Sequence, residues 1–228
     1  MKKTYFTILY LALFLCGQSI VIAAMQTADG DDDNVNYKWS FVAKIGSGED
    51  RRVTTISRDT TLTSGEEFKM MVNLQKKTYV YVIYKSSKNE ISVLYPYTFE
   101  GQMELEKNFY IPKGRSWFKL DKNTGDETFY ILASAEQLTD LEHTLDRYTG
   151  AAQEKKKDLV AEIVSQIKEI KKKYRTYSTL AERPISIAGN VRGTKTGTVD
   201  IDRFDIATLA TEISANNFYS KTITIEHK

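Results

Sequence analysis

Residues Thr78–Tyr84 read TYVYVIY, seven consecutive β-branched or aromatic side chains. A run with no polar side predicts a strand covered on both faces. That excludes any fold whose sheets bury one face only. On either side of the run the period is two. Tyr37, Trp39, Phe41 and Ala43 alternate with other residues, as do Phe68, Met70, Val72 and Leu74, and each set shares one face of an extended strand. Ser86–Asn89 reads as a turn, after which Ile91, Val93 and Tyr95 resume the alternation until Pro96 stops it. Phe109–Ile111 ends at Pro112 and the Lys113-Gly114 turn. Ser116–Leu120, the turn Asp121–Asp126 and Thr128–Ala133 predict a further hairpin. Many short strands at this spacing predict a sandwich or barrel.

The period changes at Ser134. Ser134 and Gln137 match a capping box, and Leu138, Leu141, Leu145 and Tyr148 form a helical stripe that Gly150 ends. The spacing predicts helices over 135–149 and 153–175. In the second, Val160, Ile163, Ile167, Ile170 and Tyr174 follow four-three spacing. Two readings meet that pattern: packing on the chain's own sheet, or self-association through Val160, Ile163, Ile167 and Ile170. Its ends are basic, Lys155–Lys157 and Lys171–Lys173 with Arg175, among the acids Glu154, Asp158, Glu162 and Glu169. Strand signals return at Ile185–Ile187, Thr198–Ile201 and Thr222–Ile225. The expected architecture is mainly β: one antiparallel β-sandwich-like domain over 37–228, with the two helices packed on it and C-terminal strands over 184–228.

Met1-Lys2-Lys3, the apolar run Tyr5–Leu15 and the alanines Ala23-Ala24 have the order of a secretory signal peptide over residues 1–24. An uncleaved anchor is the alternative, although Gly17-Gln18-Ser19 interrupts a stretch already short for a bilayer that needs ~20 apolar residues. Cys16 follows Leu15, where lipoprotein processing wants a small residue. Residues 25–36 are acidic and polar and read as a flexible linker. Loss of Lys2 and Lys3 brings the 32 basic residues to 30, equal to the 30 acids. The remaining chain is neutral and free of cysteine, which suits an oxidising compartment. With no Asn-x-Ser/Thr acceptor in the sequence, these signs point to export into a bacterial envelope, periplasmic or extracellular, with no stable membrane span after cleavage.

One cysteine rules out a disulfide framework and Cys-rich metal modules. Two histidines, His143 and His227, offer little for a His-based site, and a formal charge of +2 gives no global field for nucleic acid. Asp29, Asp31 and Asp33 alternate like calcium ligands, but Asn34 and Ser40 fall where a calcium loop needs glycine and glutamate. Lys195-Thr196-Gly197 and the Ser-x-x-Lys pairs at Ser116 and Ser165 lack the helix-start serine that such chemistry requires. Gly189–Thr196 lacks the spacing of a phosphate loop. A Ser-His-Asp triad would have to recruit His143, which reads instead as an ordinary helix-surface residue. No catalytic residue, metal or cofactor is therefore assigned.

The positive signal is aromatic: Tyr79, Tyr81, Tyr84, Tyr95, Tyr97, Phe109, Tyr110, Trp117, Phe118, Phe129 and Tyr130 crowd the β region. Tyrosine on a strand buries its ring and leaves the hydroxyl at the rim. Where the chain turns, such rings converge into stacking surfaces for peptide or glycan, and Tyr95, Tyr97, Arg115 and Trp117 are the candidate anchors.

Ser64-Gly65-Glu66-Glu67-Phe68, Tyr79-Val80-Tyr81-Val82, Val93-Leu94-Tyr95-Pro96, Tyr110-Ile111-Pro112, and Gly125-Asp126-Glu127 running into Ile131–Ser134 occur in that order. The ordered set resembles the bacterial domain of unknown function 4384 over about residues 51–142. The resemblance implies a β-rich module of exported or multidomain bacterial proteins, sometimes joined to kinase- or caspase-like peptidase domains, and carries no catalytic residues with it. The expected function is a non-enzymatic envelope module for protein or glycan interaction. The alternatives are a small envelope hydrolase using paired carboxylates, or a structural subunit self-associating through 153–175.

Overall fold

The computed structural model describes residues 34–99, 104–175, 181–184 and 204–228. The signal, the linker up to residue 33, the strand signals at Ile185–Ile187 and Thr198–Ile201, and the 189–197 glycine segment lie outside the described residues. The fold is mainly β, two sheets face to face with two helices on one of them.

In chain order the strands are β1 (Asn34–Ile45), β2 (Arg52–Thr55), β3 (Thr60–Leu62), β4 (Glu67–Leu74), β5 (Tyr79–Lys85), β6 (Ile91–Tyr95), β7 (Asn108–Ile111), β8 (Phe118–Lys119), β9 (Gly125–Ser134), β10 (Ala181–Pro184), β11 (Thr211–Asn216) and β12 (Phe218–His227). Helices α1 (Thr139–Gly150) and α2 (Gln153–Tyr174) follow β9. The first sheet runs β10-β11-β1-β4-β7, with β2 on β1 and β8 on β4; the second runs β3-β12-β9-β5-β6. Pairing is antiparallel except between β3 and β12, where Ile225 lies against Thr60 in a parallel register. The expected antiparallel sandwich is thus mixed at one edge.

Between the sheets lie the alternating residues of β1 and β4, Tyr37, Trp39, Phe41, Phe68, Met70 and Val72, against Val80, Val82, Phe129, Ile131 and Ile223 of the other sheet. Phe129 is the hub, its ring edge-to-face with Phe41 at 5.0 Å and Phe68 at 5.4 Å. Strand β5 explains its own sequence: Val80 and Val82 enter this core, while Tyr81 and Ile83 turn to the opposite face and pack under the helices. There Leu141, Leu145, Val160, Ile163 and Ile167 cover Tyr81, Ile83, Leu132 and Phe218. The helical stripe is therefore used within the chain. Val160, Ile163 and Ile167 are buried and Ile170 half-buried, so these four side chains are not a free seam.

Three boundaries differ from expectation. Strand β1 begins at Asn34, inside the stretch read as linker, because its first residues pair with β11. Composition cannot register that partner. Helix α1 begins at Thr139, not at 135. Ser134 ends β9 and its Oγ accepts from the Glu136 amide (3.2 Å) instead of capping the helix. Strand β11 carries too little alternation to be read from sequence, and Asn217, at φ 60°, turns the chain from one sheet into the other.

The outer face of the first sheet is covered too. Val42 and Met71 pack against Ile206 and Ala210, with Tyr110, Trp117 and Phe204 at the margin. Asp205 anchors this cover, accepting from the Tyr110 hydroxyl (2.9 Å) and the Ala207 amide (3.0 Å). Lys44 and Lys69 point into the same layer and are buried. The Lys69 ammonium donates to the carbonyls of Gly114 (2.6 Å) and Ser116 (3.0 Å), so the buried charge ties the loop before β8 to β4. Burial, then the neighbouring Lys44, lowers its pKa.

Ile163 is fully buried between helix and sheet. Ile163→Ala is expected to cost about 2–5 kcal/mol, a transfer term plus a cavity, read as a lower urea midpoint. An unchanged midpoint would mean that the helix layer is not part of the cooperative core.

Candidate functional site

Both sheets end in an edge strand on the same side, β6 and β7, and Tyr95 of one packs on Phe109 of the other with centroids 5.6 Å apart. Beside this closure opens a cleft of about 800 Å³, walled by Leu74, Tyr79, Tyr95, Tyr97, Phe99 and Phe109. Leu105 and Glu104 form part of its rim, and Gln137 and Glu142 line it from the entry of α1. Among the described residues, the large hydrophobic side chains left exposed are Tyr97 (41%) and Leu105 (49%). Both belong to this cleft.

The tyrosines are held rather than free. Tyr97 lies edge-on to Tyr95 at 6.1 Å, donates its hydroxyl to the Tyr110 carbonyl, and carries the Lys113 ammonium 4.0 Å above its ring. A cation over an aromatic face is attracted to it and helps hold the ring in place. Deeper in, the Tyr81 hydroxyl donates to Glu142 Oε1 (2.6 Å) and accepts from the Leu138 amide (3.1 Å), while Gln137 Nε2 donates to Glu142 Oε2 (2.6 Å). This network docks the first turn of α1 on β5 and takes the place of the expected capping box. It also occupies both oxygens of Glu142. Glu104, the other acid of the cleft, pairs with Lys107.

Of the four sequence-predicted anchors, the structure brings two to the cleft. Tyr95 is buried and serves as its floor; Tyr97 is exposed and forms its rim. Arg115 is exposed on the loop before β8, and Trp117 sits half-buried on the outer face of the first sheet under the Lys44 ammonium at 4.2 Å. Neither lines the cleft. Phe99, Leu105, Gln137 and Glu142 were not read as site residues. Leu105 alone carried a signal, an isolated apolar residue between Glu104 and Glu106. His143 is exposed on α1, whereas His227, at the end of β12, is buried. His143 thus takes the helix-surface position read for it from the sequence, and packing decides that His227 is the enclosed histidine.

A second, smaller cleft of about 270 Å³ opens at the other end of the second sheet, lined by Tyr84, Glu127, His227, Lys119, Asp121 and Asn123 among others. Glycine is required at its edge. Gly125 has φ +129°, and a β-carbon there would stand 2.8 Å from the Ser87 side chain.

Burial, with Tyr97 and Glu104 nearby, pushes the Tyr95 phenol up to about 12. The phenols of Tyr81 and Tyr84 move the same way, through burial and then their hydrogen bonds to Glu142 and Glu127. An unfolded phenol ionises near pH 10, so the neutral Tyr95 ring contributes its stability in full below about pH 10. That contribution is lost as the pH rises through about 12. The urea midpoint is therefore expected to fall above about pH 10, and Tyr95→Phe to make the fall shallower. Identical slopes in the two proteins would remove Tyr95 from the effect.

None of the curated proteins and none of the solved structures matches the chain. Residues 61–137, from within β3 to the entry of α1 and including every residue named above for the β6–β7 cleft except Glu142, match the family described as a domain of unknown function, DUF4384.

Proposed function

We propose that the chain is an exported β-rich module of the bacterial envelope that acts by contact, binding an extended segment of a partner protein in the cleft between β5, the β6–β7 edge and α1. One observation carries the reading: the exposed Tyr97 and Leu105 both border a cleft already floored by Tyr95 and Phe109. Exposed apolar side chains that converge on one concavity, with polar groups at its margin, are the composition of a recognition site. The choice of peptide over glycan rests on β6. Among the described residues it pairs with β5 alone, so its other side offers a strand edge to an extended chain. The same strand borders a neighbouring groove between β6 and α1, which shares Pro96, Tyr97, Thr98 and Phe99 with the main cleft. A peptide along β6 thus has side-chain space on both sides. The paired-carboxylate reading is less well supported, since the hydrogen bonds of Glu142 and the ion pair of Glu104 engage both acids of the cleft.

Titration of the protein with a library of extended apolar peptides, followed by tyrosine and tryptophan fluorescence, tests the proposal. Tyr97→Ala and Leu105→Ala are each expected to weaken the tightest peptide about tenfold, the typical cost of truncating an exposed anchor, without lowering the melting temperature by more than a few degrees. Soluble glycan fragments provide the second arm. Saturation by a glycan that the same substitutions weaken, with no peptide bound, would replace peptide by glycan as the ligand. No binding in either arm would overturn the assignment.

A further inference from the structure

The end of β12 and the turn before β4, 163 residues apart in sequence, bring together three groups that the contact function does not use. Ser64 Oγ lies 3.0 Å from His227 Nε2, and His227 Nδ1 lies 3.9 Å from Glu127 Oε1. His227 and Glu127 are 2% and 4% exposed, while Ser64 is exposed. The imidazole is thus removed from water with its far nitrogen towards a carboxylate and its near one on a hydroxyl that solvent reaches. His227 Nδ1 is buried and makes no hydrogen bond of ordinary length to a described residue.

The surroundings hold each member in place. The Tyr84 hydroxyl and the Ser87 amide (3.2 Å) both donate to Glu127 Oε2, which leaves Oε1 for the histidine. A carboxylate on the Nδ1 side favours the neutral tautomer with its proton on Nδ1, which leaves the Nε2 lone pair for Ser64. Ser64 stands on a braced turn. Glu66 accepts from the amides of Thr63 (2.8 Å) and Gly46 (3.3 Å), Ser64 N donates to the Lys228 carbonyl (2.8 Å), and Gly65 N donates to that of Leu120 (2.9 Å). Gly65 supplies the φ of +93° that the turn needs. The Ser64 hydroxyl has a second acceptor, the Lys228 carbonyl at 3.4 Å, so its proton is shared with the shorter contact to His227.

We propose that Ser64, His227 and Glu127 form a nucleophile, base and positioning acid that cleave small activated esters. Ser64 Oγ bonds to the acyl carbon as its proton passes to His227 Nε2. The imidazolium, facing Glu127, returns that proton to the departing alkoxide as the ester C–O bond breaks. Water then loses a proton to His227 as its oxygen bonds to the acyl carbon, the bond to Ser64 Oγ breaks and Oγ regains its proton. The net change is ester plus water to acid plus alcohol. The amides of the turn are already engaged, so the charge on the carbonyl oxygen falls to Lys119, whose Cε lies 3.9 Å from where a β-carbon on Gly65 would stand. One flexible cation is a weaker stabiliser than two fixed amides, which sets the expectation of slow turnover on activated esters.

The purified protein is incubated with p-nitrophenyl acetate, release of the phenol is followed, and the acetylated residue is located by peptide mass spectrometry. The expected result is a burst of one phenol per chain with acetyl on Ser64, and a rate that rises with pH. The charged groups facing the imidazole are Glu127 and Asp121, with Lys119 at the rim. Ser64→Ala, an exposed position, is expected to abolish the burst with no change in melting temperature. Glu127→Gln is expected to slow acetylation about tenfold or more and displace its pH profile to lower pH, since the facing carboxylate no longer favours the imidazolium. His227→Gln is expected to slow it about a hundredfold, the range of general-base contributions. If His227→Gln does not fold, Ser64→Ala and the pH profile decide. Acetylation of Ser64 no faster than that of other serines, or a burst that survives Ser64→Ala, would overturn the proposal. Peptide binding in the β6–β7 cleft is unaffected by either outcome.

Discussion

Strand β5 has to satisfy two cores at once, and the rest of the molecule is arranged around that demand. Val80 and Val82 pack against the opposing sheet, while Tyr81 and Ile83 pack under the helices. A strand buried on both faces needs a layer on each side and a neighbour along each edge to meet its backbone hydrogen bonds. Strands β9 and β6 supply the edges, β1 and β4 one layer, and α1 and α2 the other. Removing water from both faces of this strand ties the two cores of the molecule together.

The cleft is a consequence of the same arrangement. Tyr81 is pulled beneath α1 and its hydroxyl pairs with Glu142, which fixes where the helix begins. The helix start, the edge of the second sheet and the β6–β7 crossing then stand around a space they do not fill. Tyr97 and Leu105 border it and stay exposed, and Tyr95 and Phe109 make a rigid floor because they belong to the core. A recognition surface built on buried rings loses little conformational entropy when it is occupied.

How much was legible follows from the range of each signal. The period-two segments of β1 and β4, the unbroken β-branched and aromatic run of β5, and the stripe Val160–Ile163–Ile167 were read directly because they record burial by neighbours whatever those neighbours are. The family match over 61–137 lies within the 51–142 of the resemblance. Boundaries set by a distant partner were not legible. Asn34–Asn36 look like linker until β11 pairs with them, and Ser134 looks like a cap until β9 claims it. Among the proposed anchors, Tyr95 and Tyr97 reached the cleft since they sit on its edge strand and the turn that leaves it. Trp117 did not, since β8 pairs with β4 and its neighbour is turned to the far face, under Lys44.

Local pattern alone settled that this chain builds strands covered on both faces, that helices follow them, and that tyrosine dominates the β region. Those properties depend on which side chains avoid water, and the order of residues states that directly. Only the tertiary structure decided that the helical stripe is spent on the chain's own sheet, that Tyr97 and Leu105 share a cleft, and that Ser64, Glu127 and His227 meet. Each depends on contacts between residues far apart in the chain, and such proximity is set by how the layers stack, which no local periodicity records.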